Sequence, residues 1–216
     1  MDLPRTQHHV LRHGGVEVAI VAAPDGLPEV LHWGAPLGAA DREELVLSSR
    51  RQVSPSALDA EWPLTLLPGE HDGWEGRPGL SAHRAGRIIV PRWRVVELKG
   101  DETRLVVTAQ AAGIGLRSEM LLDSAGILRV THEIVNDGVD ELELLSLEAT
   151  MPVGDLAAEA LDFSGRWTRE RSPQRSRLLE GSRVRETRRG RTGHDSPMLS
   201  TLGTAGFGDR TGEVWA

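Results

Sequence analysis

Short apolar runs with a period of two residues, joined by tight turns, dominate the middle of this chain. Residues 93–98, 104–109, 116–122, 127–135 and 142–150 each have the pattern of a β-strand, since alternation places one face of a strand against a core. The connections are only a few residues long, whereas a parallel crossover needs about a dozen residues or more. These runs are therefore predicted to form an antiparallel meander of about five strands.

The regions on either side of this meander carry weaker signals. Residues 16–21 and 29–33 are predicted to pair as a hairpin around Pro24-Asp25-Gly26, because proline and glycine supply turn geometry. Residues 34–90 and 154–192 have no sustained period and are predicted to be irregular. Long irregular connections are uncommon in compact domains unless they are functional or packed on a partner.

Helix signals are confined to two places. A single turn is predicted at Ser56-Ala57-Leu58-Asp59, and a short helix over residues 155–161 with Asp155 as its N-cap. The predicted fold class is therefore all-β with little helix, and the length of 216 residues fits one domain over residues 1–216.

Composition excludes several classes of protein. The chain has no cysteine, which rules out disulfides and thiol chemistry and fits the cytoplasm. Its apolar runs are far shorter than the ~20 residues that a membrane span needs. Residues 1–9 lack the basic start and apolar run of a signal peptide. No membrane partner is predicted.

Charge is unevenly distributed along the chain. The net charge is −7, yet residues 165–191 hold ten Arg and only three Glu. This cluster has two interpretations: a phosphate or nucleic-acid patch, or structural ion pairs with the acidic remainder or another chain. The acidic remainder favours ion pairs, and no nucleic-acid partner is predicted, because the aromatic residues do not form a stacking platform.

Motifs that could carry catalysis or bind a cofactor are weak. His9 and His13 share a spacing that suits metal binding on a helix, but with His8 they are predicted to lie on a solvated strand without a third ligand nearby. Gly113-Ile114-Gly115 is only half of a dinucleotide fingerprint. His132 and Glu133 are neighbours on a predicted strand and must point to opposite faces. No catalytic residue, metal site or cofactor is predicted.

Two tryptophans stand out because they lie in charged segments. Trp74 follows His71-Asp72-Gly73, and Trp167 lies between Arg166 and Arg169. Each ring either anchors its loop in the core, as tryptophan often does, or presents an apolar face to the C–H surface of a sugar.

The final residues, Glu213-Val214-Trp215-Ala216, have the pattern of a strand that is just beginning. We therefore expect this sequence to be part of a longer protein.

Several short motifs, taken in order, resemble the N-terminal region of family 36 glycoside hydrolases, the bacterial and fungal α-galactosidases. The similar motifs are Leu31-His32-Trp33-Gly34, Arg51-Gln52-Val53-Ser54-Pro55, Leu67-Pro68-Gly69-Glu70, Arg77-Pro78, Leu161-Asp162-Phe163-Ser164-Gly165-Arg166-Trp167-Thr168-Arg169-Glu170-Arg171 followed by Gln174-Arg175, Arg188-Arg189-Gly190-Arg191-Thr192-Gly193-His194 and Gly212-Glu213-Val214-Trp215. The Gly-x-Trp-x-Arg-Glu and Arg-Arg-Gly-x-x-x-His blocks are fairly specific together.

This resemblance implies an antiparallel β-supersandwich like that of galactose mutarotase, followed in the family by a catalytic (β/α)₈ barrel. It also implies a retaining mechanism with two carboxylates about 5–5.5 Å apart on that barrel. The chain itself is therefore predicted to be inactive. The family's partners would be an α-galactoside, the enzyme's own barrel and further copies in a homo-oligomer.

The resemblance also implies where sugar is bound. The family tryptophan that faces galactose corresponds to Trp167. An Asp that precedes the Arg-x-x-Ser-Pro segment in some members is Arg50 here, so either Asp59 or Asp72 replaces it or the pocket is built differently. Asp72 and Trp74 are the weaker substrate-binding predictions.

The residues leave two rival functions open. One is a free-standing carbohydrate-binding or mutarotase-like sandwich, and the other is a purely structural oligomerisation domain.

Overall fold

A computed structural model describes residues 6–23, 26–38, 42–49, 64–196 and 198–216. By internal contacts the chain divides into two compact units, Met1–Pro152 and Val153–Ala216. The predictions at Arg50, at the Arg-x-x-Ser-Pro segment and at Ser56-Ala57-Leu58-Asp59 lie outside the described residues.

The first unit is built from antiparallel strands. Strands β1 to β10 cover Gln7–His13, Val16–Ala22, Glu29–Gly34, Leu80–Arg84, Arg87–Ile88, Arg94–Gly100, Arg104–Ala111, Ile114–Leu122, Leu128–Asn136 and Leu142–Leu147. They form three sheets with the orders β1-β2-β3, β10-β4-β5 and β6-β7-β8-β9. The all-β prediction is confirmed, and so is the pairing of residues 16–21 with 29–33.

Within the described residues, helix is limited to two short pieces of this unit. Helix α1 covers Arg42–Ser49, in a region predicted to be irregular, and a 3₁₀ turn covers Glu70–Asp72. None of the helices described is long and apolar enough to cross a membrane.

The β6–β9 meander follows from residue alternation. Along β8 every second residue, from Ile114 to Leu122, is buried, and this face of the strand is apolar except at Ser118. Leu105 and Val107 on β7 are fully buried on the same core. A one-residue slip would expose this face to water. Because burial of apolar surface contributes ~25 cal/mol per Å², the face specifies the register of the strands.

The fifth meander strand was predicted to pair with the preceding strand, and this prediction is wrong. Leu142–Leu147 pairs with β4 and not with β9. The connection of residues 137–141 is too long for a two-residue hairpin, and Asn136 shapes it by donating its side-chain amide to the Asp140 carbonyl at 2.9 Å. The Arg84 guanidinium donates to the Asn136 side-chain oxygen at 2.7 Å, which ties the start of this connection to β4.

The second unit is a four-stranded antiparallel sheet. Strands β11 to β14 cover Glu159–Arg166, Arg169–Arg177, Ser200–Gly203 and Val214–Trp215, in the order β12-β11-β13-β14.

Two predictions for this unit are wrong. Residues 155–161 do not form a helix, and residues 159–177 are a hairpin rather than irregular chain. The period-two pattern of β11 was hidden because the inward position after Ala160 is a buried acid, Asp162. An alternation that places a carboxylate in the core does not read as hydrophobic alternation.

Candidate functional site

The tip of the β11–β12 hairpin carries the tryptophan that stands out in the sequence. Arg166 pairs with Arg169, so Trp167 and Thr168 alone form the turn. Thr168 has φ +68°, a left-handed conformation that is an outlier for a β-branched residue. Trp167 is 76% exposed. Strain of this kind collects at functional sites, since the surrounding structure must maintain it.

Two side chains lie against this turn. The rings of Trp167 and His194 meet edge-to-face, with centroids 5.8 Å apart and planes at 85°. The Glu170 carboxylate accepts a hydrogen bond from the Thr168 amide at 3.0 Å, and the same Oε1 lies 3.7 Å from His194 Nδ1. Hydrogen bonds from its own amide and from that of Thr168 hold the pKa of Glu170 below its ordinary value.

Gly165 allows His194 to reach the hairpin. A β-carbon at this position would collide with the Arg169 carbonyl and would lie 2.7 Å from the His194 carbonyl. The segment around His194 therefore passes directly over β11 because residue 165 has no side chain. In this way the fold brings together the Gly-x-Trp-x-Arg-Glu and Arg-Arg-Gly-x-x-x-His blocks.

A buried carboxylate anchors the sheet beneath the turn. Asp162 is 1% exposed, and it accepts a hydrogen bond from Ser200 Oγ at 2.6 Å. Arg183 lies 2.5 Å from one carboxylate oxygen and Arg185 lies 3.1 Å from the other. Burial raises the pKa of Asp162, but Ser200 and the two guanidinium groups outweigh it and hold the pKa below its ordinary value.

The same arginines wall an open cavity of about 690 Å³ in the second unit. Its lining combines the Asp162 ion pairs with apolar side chains. The lining residues are Ala160, Asp162, Arg177, Leu178, Leu179, Glu180, Gly181, Ser182, Arg183, Arg185, Ser196, Met198, Leu199, Ser200 and Leu202. Arg185 also donates to the Phe163 carbonyl at 2.7 Å, which connects this wall to the hairpin.

The ion-pair interpretation of the arginine cluster is supported by these contacts. Besides the pairs with Asp162, Arg175 lies 2.7 Å from Glu159 and Arg189 lies 3.4 Å from Asp195.

The weaker predicted site lies in the first unit. Asp72 is half-buried at the end of the 3₁₀ turn, where its carboxylate accepts a hydrogen bond from the Gly69 amide at 3.2 Å. Burial raises the pKa of Asp72, which the Gly69 hydrogen bond and the nearby His71 only partly oppose. Trp74 donates its indole N–H to the Arg77 carbonyl at 2.9 Å. Both side chains therefore also stabilise their own loop through hydrogen bonds to its backbone.

One further pair has the chemistry of a nucleophile and a base. Ser118 Oγ lies 2.8 Å from His132 Nδ1 on adjacent strands, but Ser118 is fully buried, so no substrate can reach its hydroxyl. His132 and Glu133 do lie on opposite faces of β9, as predicted. Across the ranges that the structure describes, no three His, Asp or Glu residues are grouped to hold a metal ion.

Comparison with known proteins decides the family. The glycosyl hydrolase family 36 N-terminal domain matches residues 26–216. This chain belongs to that family. It is 36% identical over 190 residues to an α-galactosidase from Escherichia coli, covering 87% of this chain and 27% of that protein.

Solved structures of α-galactosidases contain the same fold as this chain. A variant of the family 36 α-galactosidase AgaA from Geobacillus stearothermophilus, in complex with raffinose, gives a TM-score of 0.79 at 17% identity, over 96% of this chain and 33% of that one. The α-galactosidase from Lactobacillus brevis gives 0.76 at 16% identity, over 93% and 31%. The chain thus spans about a quarter to a third of the relatives it matches.

Trp167 of this family 36 domain was predicted from sequence, but its grouping with Glu170 and His194 was not. Glu170 is three residues from Trp167 in the same block, but His194 belongs to the other block, 27 positions away, and no linear spacing joins it to the indole. Asp162 belongs to the same stretch of similar residues, but its burial was not predicted, because an acid on a strand is typical of a solvent-facing position.

Proposed function

We propose that this chain is the non-catalytic N-terminal domain of an α-galactosidase that removes terminal α-galactosides by a retaining mechanism. The observation that carries this proposal is the 36% identity to the E. coli α-galactosidase. The family match runs across both compact units, which supports treating residues 1–216 as one domain of a longer enzyme. The proposed partners are the α-galactoside, the enzyme's own catalytic barrel and further copies of the enzyme, in a cytoplasmic location that the lack of cysteine favours.

The chemistry of the described carboxyl groups supports a non-catalytic role. A retaining enzyme needs a general acid with a raised pKa beside a second carboxylate about 5–5.5 Å away. Within the described ranges, a raised carboxyl pKa is found at Asp72, and that carboxylate is already engaged by the Gly69 amide. We assign the nucleophile and the acid/base to the barrel.

In this proposal Trp167 contributes one wall of the galactose subsite. Its exposed indole can cover the apolar C–H face of a pyranose, and the charged groups around it can bind hydroxyls. Asp72 and Trp74 are proposed as a secondary sugar contact, with Asp72 in the role of the family acid that Arg50 replaces.

The first test is enzymatic. Purified residues 1–216 should not hydrolyse 4-nitrophenyl α-galactoside above a mock preparation, whereas the longer protein encoded by the same gene should. Turnover by the 216-residue chain would refute the non-catalytic assignment. A gene that ends at this chain, together with sugar binding and no hydrolysis, would favour a free-standing carbohydrate-binding sandwich.

The second test concerns Trp167. In the longer enzyme, Trp167→Ala should raise KM for the galactoside about tenfold, because several tens of Å² of apolar contact at ~25 cal/mol per Å² amount to about 1–2 kcal/mol. Leu156→Ala is the matched control, since Leu156 is an apolar side chain of the same unit that is 70% exposed. Unchanged kinetics together with altered assembly would indicate a structural oligomerisation domain instead.

A further inference from the structure

The edge-to-face contact between Trp167 and His194 is the one ring–ring contact found in the described part of the chain. An indole at the tip of a two-residue turn, 76% exposed, has few other contacts to fix its rotamer. Aromatic edge-to-face pairs provide orientation beyond simple burial. Among the described residues, the imidazole is therefore the aromatic group that can fix the orientation of the indole.

We propose that His194 is the positioning residue of Trp167 and thereby sets the affinity for the galactoside. This inference rests on the proposed function, because it takes Trp167 as the sugar-facing ring. His194 acts through the indole in this proposal and has no role in the bond-breaking step.

Three features hold His194 in place against the hairpin. Its carbonyl lies over Gly165, where a β-carbon would be 2.7 Å away. The Gly193 and Ser196 backbones exchange hydrogen bonds of 3.2 and 3.3 Å, which closes a tight turn around it. On its other side, Arg189 pairs with Asp195 at 3.4 Å. The imidazole is thus presented from a braced turn rather than from a free loop.

Glu170 links the imidazole to the strained turn. Its Oε1 accepts the Thr168 amide hydrogen bond at 3.0 Å and lies 3.7 Å from His194 Nδ1. The second distance is too long for a hydrogen bond, so the carboxylate lies beside the imidazole without bonding to it. One carboxylate therefore holds the backbone that carries Trp167 and lies next to the ring that packs on the indole.

The test uses the 216-residue chain labelled with 5-fluorotryptophan. Of its six tryptophan ¹⁹F resonances, the one lost in Trp167→Phe belongs to Trp167. His194→Ala should move that resonance toward the position of a solvated indole and increase its solvent isotope shift, whereas His194→Phe, which keeps an aromatic edge, should preserve it. His13→Ala, which removes an exposed imidazole of β1, is the control and should change nothing at Trp167. A Trp167 resonance that stays in place in His194→Ala would overturn the proposal.

Kinetics of the longer enzyme separate this inference from the proposed function. His194→Ala should raise KM about fivefold with kcat unchanged, and His194→Phe should restore most of the loss. If Trp167→Ala raises KM and His194→Ala does not, the positioning role is wrong while the proposed function stands. If Trp167→Ala leaves KM unchanged, the sugar-facing role of Trp167 in the proposed function fails, and this inference fails with it, whatever the ¹⁹F spectrum shows.

Discussion

Replacing Gly14 by alanine is expected to lower the free energy of unfolding by about 4 kcal/mol. Gly14 has φ +55° in the two-residue turn between β1 and β2, and a β-carbon there would collide with the Gly126 amide and lie 2.8 Å from the Ser124 carbonyl. Both are backbone atoms of the β8–β9 turn, so no side-chain rotation can relieve the clash. The left-handed backbone adds about 1–2 kcal/mol for a residue other than glycine.

Gly15→Ala is the matched control for this prediction. Gly15 has φ +77° in the same turn, but a β-carbon there would meet no atom of the described residues within 4 Å. Its substitution should therefore cost only the backbone strain of about 1–2 kcal/mol. Urea denaturation of both variants measures the difference. Equal losses of stability for the two glycines would contradict the close approach of the two turns.

Asp162→Asn should destabilise the second unit by about 2–3 kcal/mol at neutral pH. The substitution keeps the shape of the side chain but removes the charge that Arg183, Arg185 and the Ser200 hydroxyl surround. Loss of one partner from a buried ion pair usually costs about 3–5 kcal/mol, and the partly exposed guanidinium groups can regain water, which lowers this value. Hydrogen exchange of the amides in β11 and β13 measures the loss in this unit alone.

The stabilisation by the Asp162 carboxylate should decrease in acid. Because the pKa of Asp162 is depressed in the folded chain, the stabilisation is fully present above the ordinary Asp pKa and is lost as pH falls through the folded value. Exchange in the wild type and in Asp162→Asn should therefore converge in acid. Asp155→Asn, at an exposed turn of the same unit, should match the wild type throughout. A gap that persists in acid would show that the ion pairs are not its source.

The strands were predictable where residue alternation and a short connection agreed. The β6–β9 meander meets both conditions, since every second side chain of β8 is buried and all of these but Ser118 are apolar. The β1–β2 pairing was not predictable in the same way, because β1 has the sequence Gln-His-His-Val-Leu-Arg-His without apolar alternation, although Gly14-Gly15 is a turn signal. The partner of β10 could not be predicted in this way, because the Arg84–Asn136 contact, which ties the connection before β10 to β4, joins residues from separate strands.

The sequence by itself determined the fold class and the family, and it predicts Trp167 as the sugar-facing residue. These depend on short motifs and on periods of two residues, which are properties of neighbouring positions. Only the tertiary structure decided that Trp167 lies on a strained two-residue turn, that His194 packs on its ring and that Asp162 is buried among arginines. Those contacts join distant segments, and they depend on the missing side chain at Gly165 and on desolvated charges, neither of which a local pattern of polarity records.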